Sequence, residues 1–130
     1  MVGSHGRRVL RMTLPYVDRW NGWYSWFGNT TDGLSAMLER VDSACADVGR
    51  DLADFERSVS LLVEAPGAVG NVERASRWQD PDAISGSPEQ IAEQIAAFSA
   101  FGIDEVQLVV DPITAASVEW LAQIFDHLER

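Results

Sequence analysis

The chain has 130 residues, and its ten basic residues, all arginine, stand against twenty Asp and Glu residues, so its formal net charge at pH 7 is −10. This length predicts one domain, and 46% hydrophobic with 23% charged residues is typical of a folded globular protein. So acidic a chain lacks the basic surface that nucleic acid or an anionic membrane requires, and we expect it to bind neither.

Several kinds of site are excluded by residue counts alone. The single cysteine, Cys45, excludes an internal disulfide and a cysteine zinc cage, and the two histidines, His5 and His127, lie at opposite ends of the chain, so no metal site is expected. No apolar run approaches the ~20 residues that span a bilayer, and no cleavable signal segment precedes the rest. The sequence therefore predicts a cytoplasmic protein.

Charge and aromatic residues are unevenly distributed. Residues 1–30 contain four arginines against Asp18 alone, a balance of 4 − 1 = +3, and they hold six of the twelve aromatic residues. A cationic, aromatic-rich region on an acidic protein suits one anionic, flat-ringed ligand better than a polymer. The alternative is that the arginines solvate a helix face and the tryptophans fill a core or an interface.

The first half of the chain predicts two helices and one uncertain strand. Residues 2–6 have the pattern of a strand end that runs into a Gly-rich turn, and residues 7–14 predict a short helix that Pro15 ends or kinks. Residues 16–23 predict a strand followed by a loop or, alternatively, a tight hairpin at Asn21–Gly22. Between Leu34 and Val48 apolar residues recur three, four and seven apart, which predicts an amphipathic helix that Gly49 ends.

The middle of the chain predicts a strand, a long loop and a helix with a strong start signal. Residues 57–65 read as a strand, and residues 67–85 show no periodicity and are interpreted as a loop with Trp78 as its anchor. The run 86–90 combines a serine cap, Pro88 at the first helical position and Gln90 to complete a capping box. The helix that follows would end at Gly102.

The last third predicts a strand and a final helix. Residues 106–110 are nearly all apolar, as expected for a strand covered on both faces in a parallel sheet. The helix begins near Thr114 and is expected to bury five apolar residues: Val118, Leu121, Ile124, Phe125 and Leu128. Helices and strands thus alternate, which indicates an α/β fold with parallel strands, either a doubly wound open sheet or part of a (β/α)₈ barrel. A whole barrel needs roughly 250 residues, so residues 1–130 would form a single partial barrel domain.

Several short stretches, in this order and spacing, resemble the bacterial luciferase-like family of flavin- or deazaflavin-dependent monooxygenases and oxidoreductases. Residues 2–10 resemble the family's strand-ending turn and the helix after it, and residues 17–21 resemble its Ala-Asp-Gly-Trp-Asn segment. Residues 49–51 resemble the Gly-Arg-Asp-Pro turn, and residues 86–104 resemble the Gly-Thr-Pro-Glu-Glu segment together with the turn before the last strand. The resemblance covers nearly the whole chain.

The resemblance implies the C-terminal part, about strands 5/6 to 8, of a (β/α)₈ TIM barrel. Val2 would end strand five, residues 18–20 would form strand six, residues 57–65 strand seven and residues 106–110 strand eight. Strands one to four, which supply much of the substrate pocket and the ring-binding wall in the family, would be missing. The chain would then be a truncated product, a fragment or one half of a split protein.

The resemblance also implies a cofactor site. The phosphate of FMN or of the deazaflavin coenzyme F-420 would lie against Gly3, Ser4 and Gly6. The residues themselves suit an anion, since Ser4 and His5 add donors and either Arg7 or Arg8 adds a positive charge. Ser4 replaces the second glycine of many members, which leaves the choice of cofactor open. The alternative interpretation is a frayed terminus or the remnant of a purification tag.

Three further residues have competing interpretations. Trp20, at a predicted strand end, either borders the cofactor ring or packs inside the barrel. Asp111, also at a strand end, either meets a ligand or forms a simple Asp-Pro turn, and His127 is expected to face solvent. No pair of nucleophile and base is recognisable, so catalytic residues stay unassigned, as in a family where the cofactor performs the redox step.

Two functional hypotheses follow. The first is part of a flavin- or deazaflavin-dependent oxidoreductase that acts on a small organic substrate, with little activity from the chain alone. The alternative is a catalytically inactive half barrel that self-associates, or binds a missing N-terminal half, through its open sheet edges and tryptophans. A flavodoxin-like nucleotide binder would need a full first strand, for which too few residues precede Gly3.

Overall fold

The computed structural model describes residues 1–67 and 81–129. Helices and strands alternate through these residues, as the sequence predicts. The helices are α1 (Arg7–Thr13), α2 (Thr31–Val48), α3 (Pro88–Ala97) and α4 (Ala115–Leu128), and the strands are β1 (Arg19–Trp23), β2 (Glu56–Glu64) and β3 (Glu105–Asp111). Short 3-10 turns occupy Leu14–Tyr16, Tyr24–Trp26, Leu52–Asp54 and Phe98–Phe101. Trp78, the predicted anchor of the 67–85 loop, lies outside the described residues.

The strands form one sheet in the order β1-β2-β3, and both pairs are parallel. Val2 adds a short parallel bridge beside Trp20, on the side of β1 away from β2. The amide of Val2 donates to the carbonyl oxygen of Arg19, and the amide of Asn21 donates to that of Val2, both at 2.9 Å. The predicted parallel sheet is therefore confirmed, and two one-residue parallel bridges adjoin its strands, Val2 beside Trp20 and Ile84 beside Val63.

The alternative of a hairpin at Asn21–Gly22 is wrong, because both residues lie inside the parallel strand β1. Gly22 does not form a turn, and its missing side chain leaves space for the ring of Trp20. A Cβ atom on Gly22 would stand 2.6 Å from the ring carbon Cη2 of Trp20, well inside van der Waals contact. A glycine within a strand commonly marks such a close approach.

The helix ends follow local sequence signals. α2 begins at Thr31, three residues before the predicted start, because the Thr30 hydroxyl caps it by accepting the amide of Gly33 at 3.1 Å. Gly49 ends the same helix in the left-handed conformation, with φ +69°. At α3 both bonds of the predicted capping box between Ser87 and Gln90 are present.

The core lies between the sheet and its helices. Val59, Leu61 and Val63 alternate along β2 and therefore share one face of the sheet, where all three are fully buried. The helices contribute fully buried residues to the same cluster, among them Leu10, Leu34, Val41, Ile91 and Ile124. None of the helices within residues 1–67 and 81–129 is long and apolar enough to cross a membrane.

The predicted burial along α4 is partly wrong. Leu121 and Ile124 are buried, together with Ser117, but Val118 and Phe125 are 56% and 49% exposed and Leu128 is also exposed. α4 packs against α3 and β3 with one flank only, and within the described residues nothing covers the flank that carries Val118 and Phe125. His127, expected to face solvent, is half-buried.

Candidate functional site

The Gly-rich turn, residues 3–7, leaves the sheet at the edge where the parallel strands have their carboxyl ends. This position follows from the parallel bridge of Val2 beside β1. The turn lies against the segment that follows β1, since the ring of His5 stands 4.8 Å, centroid to centroid, from that of Trp26. In parallel α/β folds ligands bind at this edge, because the strand-to-helix loops gather there.

Two hydrogen bonds fix the shape of the turn. The indole Nε1–H of Trp20 donates to the carbonyl oxygen of Ser4 at 2.8 Å, and the hydroxyl of Ser4 accepts the amide of Gly6 at 3.3 Å. The Trp20 side chain is fully buried. Trp20 therefore supports the turn from behind and, in this structure, presents no surface to a ligand, which agrees with the packing interpretation of this residue.

The glycines of the turn leave room instead of providing unusual backbone angles. Gly6, which precedes α1, has φ −81°, a value open to any residue. A Cβ atom on Gly3 would come no closer than 3.8 Å to Asn21 and Trp26, and one on Gly6 no closer than 4.0 Å to Ser4. Small substitutions at either position therefore fit the fold, and their effect on a ligand can be measured separately from folding.

Arg7 is oriented by an ion pair with the helix beside it. Its guanidinium donates to Asp47 on α2 at 2.9 Å, and Arg11 lies 3.9 Å from the same carboxylate. The hydrogen bond from Arg7 holds the pKa of the Asp47 carboxyl below its ordinary value. The side chain of Arg7 is still 71% exposed, so this ion pair places the cation beside the turn and leaves it open to solvent.

A hollow of about 660 Å³ lies between the turn and α2. It is lined by His5, Arg7, Leu10, Ala36, Glu39, Arg40 and Ser43. Within the described residues Arg40 makes no ion pair, so the hollow contains one guanidinium that has no carboxylate partner. Sequence reasoning missed Arg40, although the 36, 39/40, 43 spacing places these residues on one face of α2.

The face of the sheet opposite the helices carries a continuous polar network, which sequence reasoning also missed. From β2 the hydroxyl of Ser58 donates to Asn21 at 2.9 Å, and Asn21 donates to Ser60 at 3.2 Å. Ser60 donates to Gln107 on β3 at 3.2 Å, and Gln107 donates to Glu105 at 3.0 Å. The side chains of adjacent strands thus satisfy one another across the sheet.

Arg19 closes this network by donating to Glu105 at 2.7 Å and to Glu56 at 2.8 Å. The hydrogen bonds from Gln107 and then from Arg19 lower the pKa of the Glu105 carboxyl. Ser58 and Ser60 are buried and bonded, and no histidine or cysteine adjoins either of them in the network. The network therefore reads as a structural element that lines the sheet.

The remaining candidates lie apart from the turn. Asp111 ends β3, and its carbonyl oxygen accepts the amide of Ala65 at 2.8 Å, so its backbone joins the ends of two strands. His127 lies on α4, beside a smaller hollow that it shares with α3. Within residues 1–67 and 81–129 no three His, Cys, Asp or Glu side chains are grouped as metal ligands. Of the predicted cofactor-binding residues, Gly3, Ser4, His5, Gly6 and Arg7 are together, and Trp20 lies behind them.

Comparison with known proteins places the fold. No family model and no curated protein matches the sequence. Among solved structures, an F-420-dependent secondary alcohol dehydrogenase in complex with an F-420–acetone adduct matches with TM-score 0.68 and 11% identity, over 97% of this chain and 47% of that one. The coenzyme F-420-dependent tetrahydromethanopterin reductase from Methanopyrus kandleri matches with TM-score 0.63 and 11% identity, over 98% of this chain and 49% of that one.

The chain spans about half the length of both matched structures. At 11% identity such a likeness establishes the fold alone. It confirms the predicted fold class, α/β with parallel strands that alternate with helices as part of a (β/α)₈ barrel. The chain accordingly has the fold of roughly half of each matched structure.

Proposed function

We propose that this chain forms part of a coenzyme F-420-dependent oxidoreductase of the luciferase-like family, and that residues 3–7 hold the phosphate-bearing part of the cofactor. One observation carries the proposal. Almost the entire chain shares its fold with two enzymes whose names state dependence on F-420, and the Gly-rich turn lies at the carboxyl end of the parallel sheet.

The residues of the turn fit an anionic group. Gly3 and Gly6 leave space beside the backbone, and His5 and Arg7 are exposed next to them. A charge-assisted hydrogen bond contributes about 1.5–3 kcal/mol. Three such bonds correspond to dissociation constants between about millimolar and micromolar, so burial of the ring has to supply any tighter affinity.

The turn is held in one conformation before an anion binds, which favours binding. Because Trp20 fixes the Ser4 carbonyl and Ser4 fixes the Gly6 amide, less conformational freedom is lost when an anion binds. Arg7 is likewise held beside the turn by Asp47. When bound, the deazaflavin supplies hydride transfer to or from a small organic substrate, while the residues of this chain bind and orient its tail.

FMN, with monooxygenase chemistry, is the second cofactor that the same turn suits, because FMN also carries a phosphate. F-420 is preferred because both matched enzymes depend on it. Since the chain spans about half of each of them, we expect cofactor binding by the chain alone but no turnover.

The test titrates the natural chain and three variants with F-420 and, in a separate series, with FMN. Cofactor fluorescence measures binding in both series. Arg7→Ala and Gly3→Val are expected to weaken F-420 binding about tenfold or more, since each removes or blocks one contact of the anion. Arg11→Ala is the matched control, because Arg11 faces the same Asp47 carboxylate but lies a helical turn farther from Gly3.

The outcomes separate the parts of the proposal. Unchanged affinity in both Arg7→Ala and Gly3→Val would show that residues 3–7 do not hold the cofactor. Preferential binding of FMN that both variants weaken would show that the turn binds FMN and not F-420. Binding of neither cofactor would contradict the proposed function.

A further inference from the structure

Within the described residues the sheet has two open lateral edges, since β3 pairs with β2 on one side only and Val2 pairs with β1 on one side only. An unpaired strand edge presents amides and carbonyls that another strand can bond. A strand that pairs at either edge would also place its own helix beside the helix at that edge, so the exposed side chains of these helices indicate which partner fits.

The helix beside the Val2 edge, α1, has an apolar and basic free flank, which we call the α1 flank (Arg8, Val9, Met12). Val9 and Met12 are 46% and 64% exposed, whereas Leu10, on the opposite side of the helix, is fully buried. Arg8 is exposed and makes no ion pair with any described residue. These three side chains project from neighbouring positions of the helix.

The helix beside the β3 edge, α4, has an apolar and acidic free flank, which we call the α4 flank (Val118, Glu119, Phe125, Asp126). Val118 and Phe125 lie seven residues apart, one above the other, and both are half exposed. Glu119 and Asp126 follow them directly and are exposed. α3 packs against the other side of α4, so within the described residues nothing covers this flank.

We infer that two copies of this chain associate as a two-fold symmetric dimer, with the α1 flank of each copy against the α4 flank of the other. The two flanks are complementary, because each offers half-exposed apolar residues and one carries an unpaired arginine where the other carries two carboxylates. A two-fold axis forms this contact twice and leaves neither flank exposed.

The parallel direction of the sheet suits the same arrangement. Each copy contributes the three parallel strands β1 to β3 and the one-residue bridge of Val2 beside β1, so the two-fold contact would bring the β3 edge of each copy next to the Val2 edge of the other. This inference does not depend on the cofactor or on the reaction proposed above.

Sedimentation velocity of the full chain over a hundredfold range of concentration tests the inference. The natural chain is expected to sediment as a species of twice 14.3 kDa, and Phe125→Glu and Met12→Glu are each expected to raise the dimer dissociation constant tenfold or more. Leu52→Glu is the matched control, since Leu52 is an exposed apolar residue outside both flanks. Far-UV circular dichroism and thermal melting identify any variant that has unfolded instead of dissociated.

A charge reversal checks which surfaces meet. Arg8→Glu alone, or Glu119→Arg with Asp126→Arg, is expected to weaken the dimer, and the combination of all three is expected to restore it. A monomer at every concentration, an open-ended series of larger species, or a dimer that Phe125→Glu and Met12→Glu leave intact would each overturn the inference.

Discussion

The indole N–H of Trp20 and the carbonyl oxygen of Ser4 lie 2.8 Å apart, and this bond ties a fully buried side chain of β1 to the exposed turn that precedes α1. The bond therefore connects the core to the loop at the carboxyl ends of the strands. The conformation of the turn therefore depends on the packing of the strand beneath it, and substitutions in the core can change the shape of the turn, and with it the proposed cofactor binding, without touching the turn itself.

Trp20→Phe keeps a ring in the core but removes the donor to Ser4. We expect the free energy of unfolding to fall by about 1–3 kcal/mol, from the lost hydrogen bond and the smaller ring, and the amides of residues 3–6 to exchange hydrogen faster. Hydrogen exchange followed by mass spectrometry measures the second effect. Trp23→Phe is the control, because Trp23 is an exposed residue of the same strand, and equal exchange in the two variants would contradict this role of Trp20.

Gly22→Ala places a methyl group where the Trp20 ring lies. With 2.6 Å between the new Cβ and ring carbon Cη2, the indole has to shift, and we expect a loss of about 1–3 kcal/mol in unfolding free energy. Gly6→Ala meets nothing closer than 4.0 Å and is expected to change stability by about 0.5 kcal/mol or less. Urea denaturation measures the unfolding free energy of both variants. Equal stabilities would show that the Trp20 ring can move to another position without cost.

Asn29→Ala removes a side chain that pairs with β2 as a backbone would. The Asn29 amide donates to the Leu62 carbonyl at 2.9 Å, and its oxygen accepts the Leu62 amide at 3.0 Å. The buried amide of Leu62 loses its acceptor, whereas the Leu62 carbonyl keeps the amide of Ile84 at 2.9 Å, so the change is expected to cost about 1–3 kcal/mol of unfolding free energy. Thr30→Ala, which removes the cap of α2 and a long hydrogen bond to the Phe27 carbonyl, is expected to cost about 1 kcal/mol, and a smaller loss at Asn29 would contradict the pairing.

Cys45 is fully buried, and burial, with a further contribution from Asp42, raises the pKa of its thiol. Because the thiolate is the reactive form, we expect the folded chain to react with a disulfide reagent far more slowly than the chain in denaturant. Stopped-flow absorbance with and without urea compares the two rates. Similar rates in both conditions would show that the thiol is accessible.

Acidification is expected to weaken the fold through Glu105. Its folded-state pKa is lowered by Gln107 and Arg19, so its contribution to stability is complete above the unfolded value of about 4.3 and is lost as the pH falls through the folded value. Glu105→Gln should therefore lose less stability than the natural chain between about pH 5 and pH 3. Glu93→Gln, an exposed residue of α3, is the control, and parallel pH profiles for the natural chain and Glu105→Gln would contradict the effect.

The parts of the fold that sequence reasoning predicted well depend on neighbouring residues. The capping box of Ser87 and Gln90 and the glycine stop at Gly49 are local signals, and the structure has both. The five residues of the turn could be proposed together because they are contiguous in sequence. Where the structure differs, the deciding contact comes from elsewhere: the room at Gly22 depends on the Trp20 ring, and the exposure of Val118 and Phe125 depends on which flank of α4 is covered.

The hollow beside the turn was harder to foresee. Arg40 lies within an amphipathic helix, where an arginine on a polar face is the ordinary case, and only the position of α2 relative to His5 brings it to the hollow. The polar network was equally hidden, because Ser58, Ser60 and Gln107 are separated by up to 49 positions along the chain and meet only through strand pairing. Register between strands also depends on which strands pair, and the local pattern of one strand does not identify its partner.

The side chain of Asn29 affects the shape of the sheet edge at the carboxyl ends of the strands. β1 ends at Trp23 opposite Ser60, while β2 continues to Glu64 opposite Asp111. Beyond the end of β1, the side chain of Asn29 and the backbone of Ile84 pair with β2 instead. The main chain can therefore turn away from the sheet four residues sooner on this side of β2 than on the other without leaving Leu62 unpaired. That early departure frees residues 24–28 to fold over the edge, and it is what lets Trp26 come to rest against His5.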